Sequence, residues 1–209
     1  MHQRAFSPLT LVAALTAAGL VSTPAAAAPG PVADWTTLVA EASSTGSLEP
    51  VTLAGDVSEP GEVLLVGRTL TLDLDGHALT VESVKIAPGS TLTIADSSPD
   101  EAGHLTADAS AVPPQAPPFT YPPGIEVPAS ASLVISSGQV TALGSGNTAG
   151  IGSTDLQDAG PITITGGTVM ATGGDFAAGI GGGSGGSAST VTITGGDVTA
   201  VGGTRGAGI

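Results

Sequence analysis

Residues 149–177 and 178–206 are one 29-residue unit written twice, identical at 14 positions without a gap. AGIG stands at 149 and again at 178, and AGI opens once more at 207. ITITGG at 162 returns as VTITGG at 191, and TVMATGG at 168 returns as DVTAVGG at 197. A fixed period of this size specifies stacked windings, each unable to bury its apolar side without a neighbour. That constrains architecture closely and chemistry hardly at all.

Apolar positions alternate with polar ones well before the clean repeats begin. Leu70, Leu72 and Leu74 are separated by Thr71 and Asp73, and Thr91-Leu-Thr-Ile repeats the pattern. Period-two alternation predicts half-buried strands, with Thr71, Asp73 and Asp75 facing away from the leucines. Aligning the less regular windings to the clean repeat gives inward columns. One is Leu92, Leu133, Ile162, Val191; a second is Ile94, Ile135, Ile164, Ile193. A third is Leu105, Val140, Val169, Val198, flanked by Ala107, Ala142, Ala171 and Ala200. Ile125, Ile151, Ile180 and Ile209 supply a column for the remaining face. Gly-Gly pairs at 166–167 and 173–174 mark the corners, where glycine permits sharp turns and close approach of windings. A flexible glycine-rich linker would lack such columns.

The ends read differently. Met1–Arg4 is basic, Leu9–Val21 is apolar and uncharged, and Ala25–Ala28 offers a small-residue cleavage site. Residues 1–28 are therefore expected to be a signal peptide cut near Ala27, and the protein to be secreted. No later segment is long and apolar enough to span a membrane. Residues 29–209 form one repeat domain, opened by a capping helix over 34–44 in which Asp34 caps and Trp35, Leu38, Val39 and Ala42 share a face. Residues 111–128 carry seven prolines around Phe119 and Tyr121 and predict an excursion from the stack. The sequence stops within an AGIGG-type motif, so it reads as part of a longer repeat protein or as an open edge able to self-associate.

Charge excludes several partners. Once Arg4 leaves with the leader, Arg68, Lys85 and Arg205 face 18 acidic residues, a balance that repels phosphate backbones and rules out nucleic acid. Acidic polysaccharides are disfavoured without bridging cations. Cysteine is absent, so neither a disulfide framework nor thiol chemistry is available. No cofactor is expected; bound calcium is the one supplement the acidic composition admits.

The pairing of TLDLDGHALT (71–80) with GSTLTIADSS (89–98), followed by tandem ITITGGTVMATGG and AGIGGG units, resembles secreted bacterial right-handed parallel β-helix proteins. It is similar in particular to Gly/Thr-rich solenoids of extracellular and cell-wall-associated proteins, over residues 34–209. The resemblance implies an all-β, right-handed parallel β-helix of five to six windings. The wider pectin-lyase-like group includes polysaccharide lyases, glycoside hydrolases, adhesins and carbohydrate-binding modules, so fold alone does not choose among them.

Candidate residues for chemistry are few. Lyases on this scaffold resemble one another in using an Arg or Lys base near calcium-binding aspartates, and Arg68 and Lys85 are the candidates here. Asp73 and Asp75 lie i, i+2 on an outward face, placed to share a cation or act as a carboxylate pair, although Asp75-Gly76 also reads as a corner. His77 and His104 fall in different windings without a companion ligand, so no transition-metal site is expected. Phe119 and Tyr121 are the candidate contact surface for a ligand, or else anchors for the Pro-rich loop. Trp35 is expected to pack with the helix and Phe176 on a neighbouring winding. Thr163, Thr165, Thr192 and Thr194 form two rungs of an ordered hydroxyl array that Val134 and Ser136 interrupt. The expected function is a non-catalytic extracellular or cell-surface scaffold, adhesin-like, touching an extracellular polysaccharide or a surface protein. The alternative is a carbohydrate-active lyase or hydrolase.

Overall fold

The computed structural model describes residues 30–44, 50–113 and 121–209. The expected leader and Phe119 lie outside the described residues, as does part of the Pro-rich segment.

Among the described residues one helix, α1 (Trp35–Ser43), precedes the strands. Asp34 takes extended backbone angles and its carboxylate accepts the Thr37 amide at 3.0 Å, meeting one of the helix's orphan donors. Leu38 and Ala42 are fully buried, and Trp35 and Val39 pack beside them.

The chain then winds six times. The first winding holds β1 (Val51–Thr52) and β2 (Val57–Val66), and the second β3 (Leu70–Asp73) and β4 (Ala78–Ile86). The third comprises β5 (Thr91–Ala95), β6 (His104–Asp108) and β7 (Ile125–Glu126). The fourth comprises β8 (Ser132–Ile135), β9 (Gln139–Leu143) and β10 (Ile151–Gly152). The fifth holds β11 (Ile162–Ile164), β12 (Thr168–Thr172) and β13 (Ile180–Gly181), and the sixth β14 (Val191–Ile193) and β15 (Asp197–Val201).

Every ladder between these strands is parallel. The six-stranded sheet β1-β3-β5-β8-β11-β14 forms one side, face I. A nine-stranded sheet supplies the other two, because β2 and β4 run on around a corner. Their first halves join β6, β9, β12 and β15 as face II, and the second half of β4 joins β7, β10 and β13 as face III. On face I, partners lie 21, 22, 41, 29 and 29 residues apart, from Val51↔Leu72 through Ile162↔Val191. The 41-residue step contains the Pro-rich excursion.

The core is the set of columns expected from alternation. Leu92, Leu133, Ile162 and Val191 are in register, as are Ile94, Ile135, Ile164 and Ile193. So are Leu105, Val140, Val169 and Val198, with the four alanines beside them. Val84, Ile125, Ile151 and Ile180 line face III. Rungs spaced about 4.8 Å apart stack like on like, so each aliphatic side chain with a winding on either side of it is covered from both. Backbone contact at the corners explains the glycines. Gly138, Gly167 and Gly196 are stacked with φ of 80°, 79° and 86°, a region side chains rarely tolerate. A Cβ on Gly179 would sit 2.6 Å from the Val201 amide nitrogen, so the winding above leaves room for nothing larger.

Candidate functional site

The two candidate bases are engaged separately. Arg68 follows β2, and its Nε donates to the Glu41 carbonyl at 2.9 Å while the Gly67 amide donates to Ala42 at 3.0 Å. The Gly67 amide meets a carbonyl of the helix's last turn, and the Arg68 bond adds to the Ser44 amide and hydroxyl that already reach Glu41, so the two together fasten the helix to the first winding. Lys85 lies on the outer side of β4, and its Nζ meets Glu126 Oε2 at 2.9 Å across the Lys85↔Glu126 rung. Glu126 also borders a shallow depression of about 100 Å³ with Pro128, Ala129, Ser153, Thr154, Gln157 and Asp158.

Asp73 and Asp75 occupy the corner between β3 and β4. Asp73 Oδ1 accepts the Asp75 amide at 3.1 Å and the Ser97 amide of the next winding at 2.9 Å. Asp75 takes φ of 44°, which aspartate tolerates, and its Oδ1 accepts from the Ser97 hydroxyl at 3.4 Å. Asp73 thus closes the turn and ties it to its neighbour. Among the described residues, no group of three or more His, Cys, Asp or Glu side chains is placed to hold a metal ion.

The acidic residue with the most demanding environment is one that motif inspection passes over. Asp96 is 5% exposed and follows Leu92 and Ile94 in the inward parity, which is the sequence signal that marks it. Its Oδ1 accepts the amides of Gly76 at 2.9 Å and Ser98 at 3.1 Å, and its Oδ2 accepts Gly103 at 2.6 Å. The Asp96 amide donates to Ser137 Oγ at 2.8 Å, extending the knot to the fourth winding. Burial acts to raise the Asp96 pKa, but the Ser98 hydroxyl and the three amides prevail and hold it below the ordinary value. The Ser98 hydroxyl makes no hydrogen bond of good geometry, so the amides are the firmer cause. Asp56 is a smaller, exposed version: its Oδ1 accepts the Ala78 amide at 2.9 Å, and His77 Nδ1 stands 3.6 Å away. The Ala78 amide lowers its pKa, with His77 adding to the effect.

Tyr121 is half-buried, with its ring on Gly146, where a Cβ would meet ring carbons at 2.6 Å. The returning strand of the Pro-rich excursion is stitched down beside it. Ser83 Oγ donates to the Pro123 carbonyl at 2.7 Å and Thr148 Oγ1 to Pro122 at 2.9 Å, both from buried side chains. Tyr121 is therefore packed on the fourth winding. Phe176 is partly exposed, with the Arg205 guanidinium of the next winding 5.2 Å from its ring centre, a cation–π contact.

The most regular surface is the outer side of face I. Thr71, Thr93, Val134, Thr163 and Thr192 are in register over five windings. The hydroxyl array thus runs beyond the two rungs read from the clean repeats, with isosteric valine filling one rung. In the strands of this face Asp73 is the one charged residue, in a chain of net charge −14. Face II carries a second ladder of Thr80, Thr106, Thr141, Met170 and Thr199. Both follow from alternation, since a strand that turns every second residue inward aligns the rest outward.

A family model described as beta helix repeat matches residues 133–155, 162–184 and 191–209. The three segments open on Leu133, Ile162 and Val191, successive members of one inward column. Repeats and ladders together make the chain a parallel β-helix repeat protein. No curated protein and no solved structure matches it.

Proposed function

We propose that this is a secreted, non-catalytic β-helix scaffold, adhesin-like and associated with the cell surface or wall, that engages extracellular glycan through face I. The observation that carries the reading is the in-register column Thr71, Thr93, Val134, Thr163, Thr192 on an almost uncharged side of an acidic molecule. Hydroxyls repeating at about 4.8 Å along the axis suit a neutral, extended polymer better than a compact or charged ligand. The engagement of Arg68 Nε by the Glu41 carbonyl, which ties that side chain to the helix end, favours binding over turnover. Incubation with insoluble cellulose, chitin, pectin and peptidoglycan tests this. Retention without released sugar, abolished by Thr93→Lys with Thr163→Lys, is the expected result; retention unchanged by that pair overturns the assignment to face I.

The lyase or hydrolase reading is favoured by one observation, the Lys85–Glu126 pair beside the depression that Asp158 also lines. Release of soluble product from any of the four polymers, lost in Lys85→Ala, would replace the scaffold reading with it.

A further inference from the structure

Asp75-Gly76 is the one Asp-Gly step in the sequence. In an unfolded chain such a step is chemically fragile, because glycine has no side chain to shield its nitrogen. The Gly76 nitrogen can attack the Asp75 side-chain carboxyl and close a cyclic imide. The N–Cγ bond forms, the Cγ–OH bond breaks, and the amide proton leaves with the hydroxyl as water. Water then reopens the ring. Attack at the Asp75 backbone carbonyl yields isoaspartate, with the main chain rerouted through Cβ and longer by one methylene. No oxidant or cofactor takes part.

The corner between β3 and β4 opposes ring closure at every point. Asp75 and Gly76 are the central residues of a tight turn, with φ of 44° and 79°, and the His77 amide donates to the Leu74 carbonyl at 2.8 Å. Two successive positive φ angles with that bond are the pattern of a type I′ turn, whose first central residue has ψ of about +30°. The imide instead needs the Gly76 nitrogen nearly eclipsed with Cβ about the Asp75 Cα–C bond, a rotation of well over a right angle. That rotation would break the bond within the turn. It would also carry the Gly76 amide off Asp96 Oδ1, which accepts it at 2.9 Å. Asp96 cannot follow, because the Ser98 and Gly103 amides hold its carboxylate and its own amide is bonded to Ser137. Asp75 Oδ1, meanwhile, faces the Ser97 hydroxyl at 3.4 Å. Nucleophile and target carboxyl are therefore tethered separately, both to the third winding.

We propose that Asp75-Gly76 is a latent isomerisation site, held inert by its turn and by Asp96, that converts to isoaspartate when this corner opens. The inserted methylene alters the fit of Gly76 to Asp96, so a transient opening is recorded as a covalent change. This chemistry is independent of what face I binds.

Tryptic cleavage after Arg68 and Lys85 isolates the step in the fragment 69–85, in which the isoaspartyl form is separated chromatographically and located by backbone fragmentation in the mass spectrometer. The folded chain, aged at fixed pH and temperature, should accumulate isoaspartate at position 75 at least about tenfold more slowly than the same chain unfolded in guanidinium chloride. Asp96→Ala, aged without denaturant, should approach the unfolded rate. Ile164→Ala, weakened in the core of the fifth winding away from this corner, should age like the unaltered chain. The comparison of folded with unfolded chain stands whether or not Asp96→Ala retains its β circular dichroism spectrum. Equal rates for the folded and unfolded chain, no acceleration in Asp96→Ala, or as large an acceleration in Ile164→Ala would each overturn the proposal.

Discussion

Asp96 shows how much one buried side chain does in a fold whose windings meet chiefly through backbone ladders and stacked aliphatic side chains. Its two oxygens serve amides from the second and third windings, and its own amide reaches the fourth. Asp96→Asn keeps the shape but replaces one accepting oxygen with a donor facing an amide. A loss of about 1–3 kcal/mol is expected in urea unfolding at neutral pH. The pH dependence has a definite sign. The folded-state pKa is depressed, so the carboxylate's contribution is complete above the unfolded-state value and is lost as pH falls through the folded one. The stability gap between the two proteins should therefore narrow on acidification below the ordinary aspartate range; a gap of constant size would exclude this role. Arg68 makes a second test. Arg68→Ala removes the Nε bond to Glu41, and amide exchange should quicken in α1 while β8 to β12 stay protected.

Among the elements, the strands on face I and the second halves of the clean repeats were legible because inward and outward residues differ so sharply. Ile162-Thr-Ile and Val191-Thr-Ile announce both their strand and their register. The helix was legible too, from Asp34 and the spacing of Leu38 and Ala42. The early windings were harder. Val84-Lys-Ile reads as a separate strand, yet it is the end of β4, which carries on from Ala78 around a corner without a glycine break. In β2 the register shifts between Glu59 and Val63, where Pro60 cannot donate to the ladder and Gly61 marks the bulge, a signal the alternation pattern alone passes over. The hydroxyl ladder was underestimated because Val134 and Ser136 looked like an interruption, while the windings before them, being 21 or 22 residues long, could not be aligned by period. Position within an element also sets the cost of truncation. Ile164→Ala, inside a covered column, should cost about 2–5 kcal/mol in chemical denaturation. Ile193→Ala, at a position 41% exposed where Ile164 is at 0%, should cost clearly less, and equal losses would contradict that difference.

The whole molecule behaves as a one-dimensional stack, in which stability is close to a sum over neighbouring windings. Deleting residues 162–190 removes one complete winding and joins Pro161 to Val191 in the same phase. The shortened chain should keep its β spectrum and unfold at a lower denaturant concentration; a loss of β signal would show the windings to be less independent than their ladders suggest. The direction of those ladders has a mechanical consequence. Hydrogen bonds between windings lie along the axis, so a tensile force applied to the two ends loads them in series rather than in parallel shear. The molecule should then unspool one turn at a time. Each released 29-residue turn would contribute about 100 Å of slack, making a rigid rod at rest into a long compliant tether under strain.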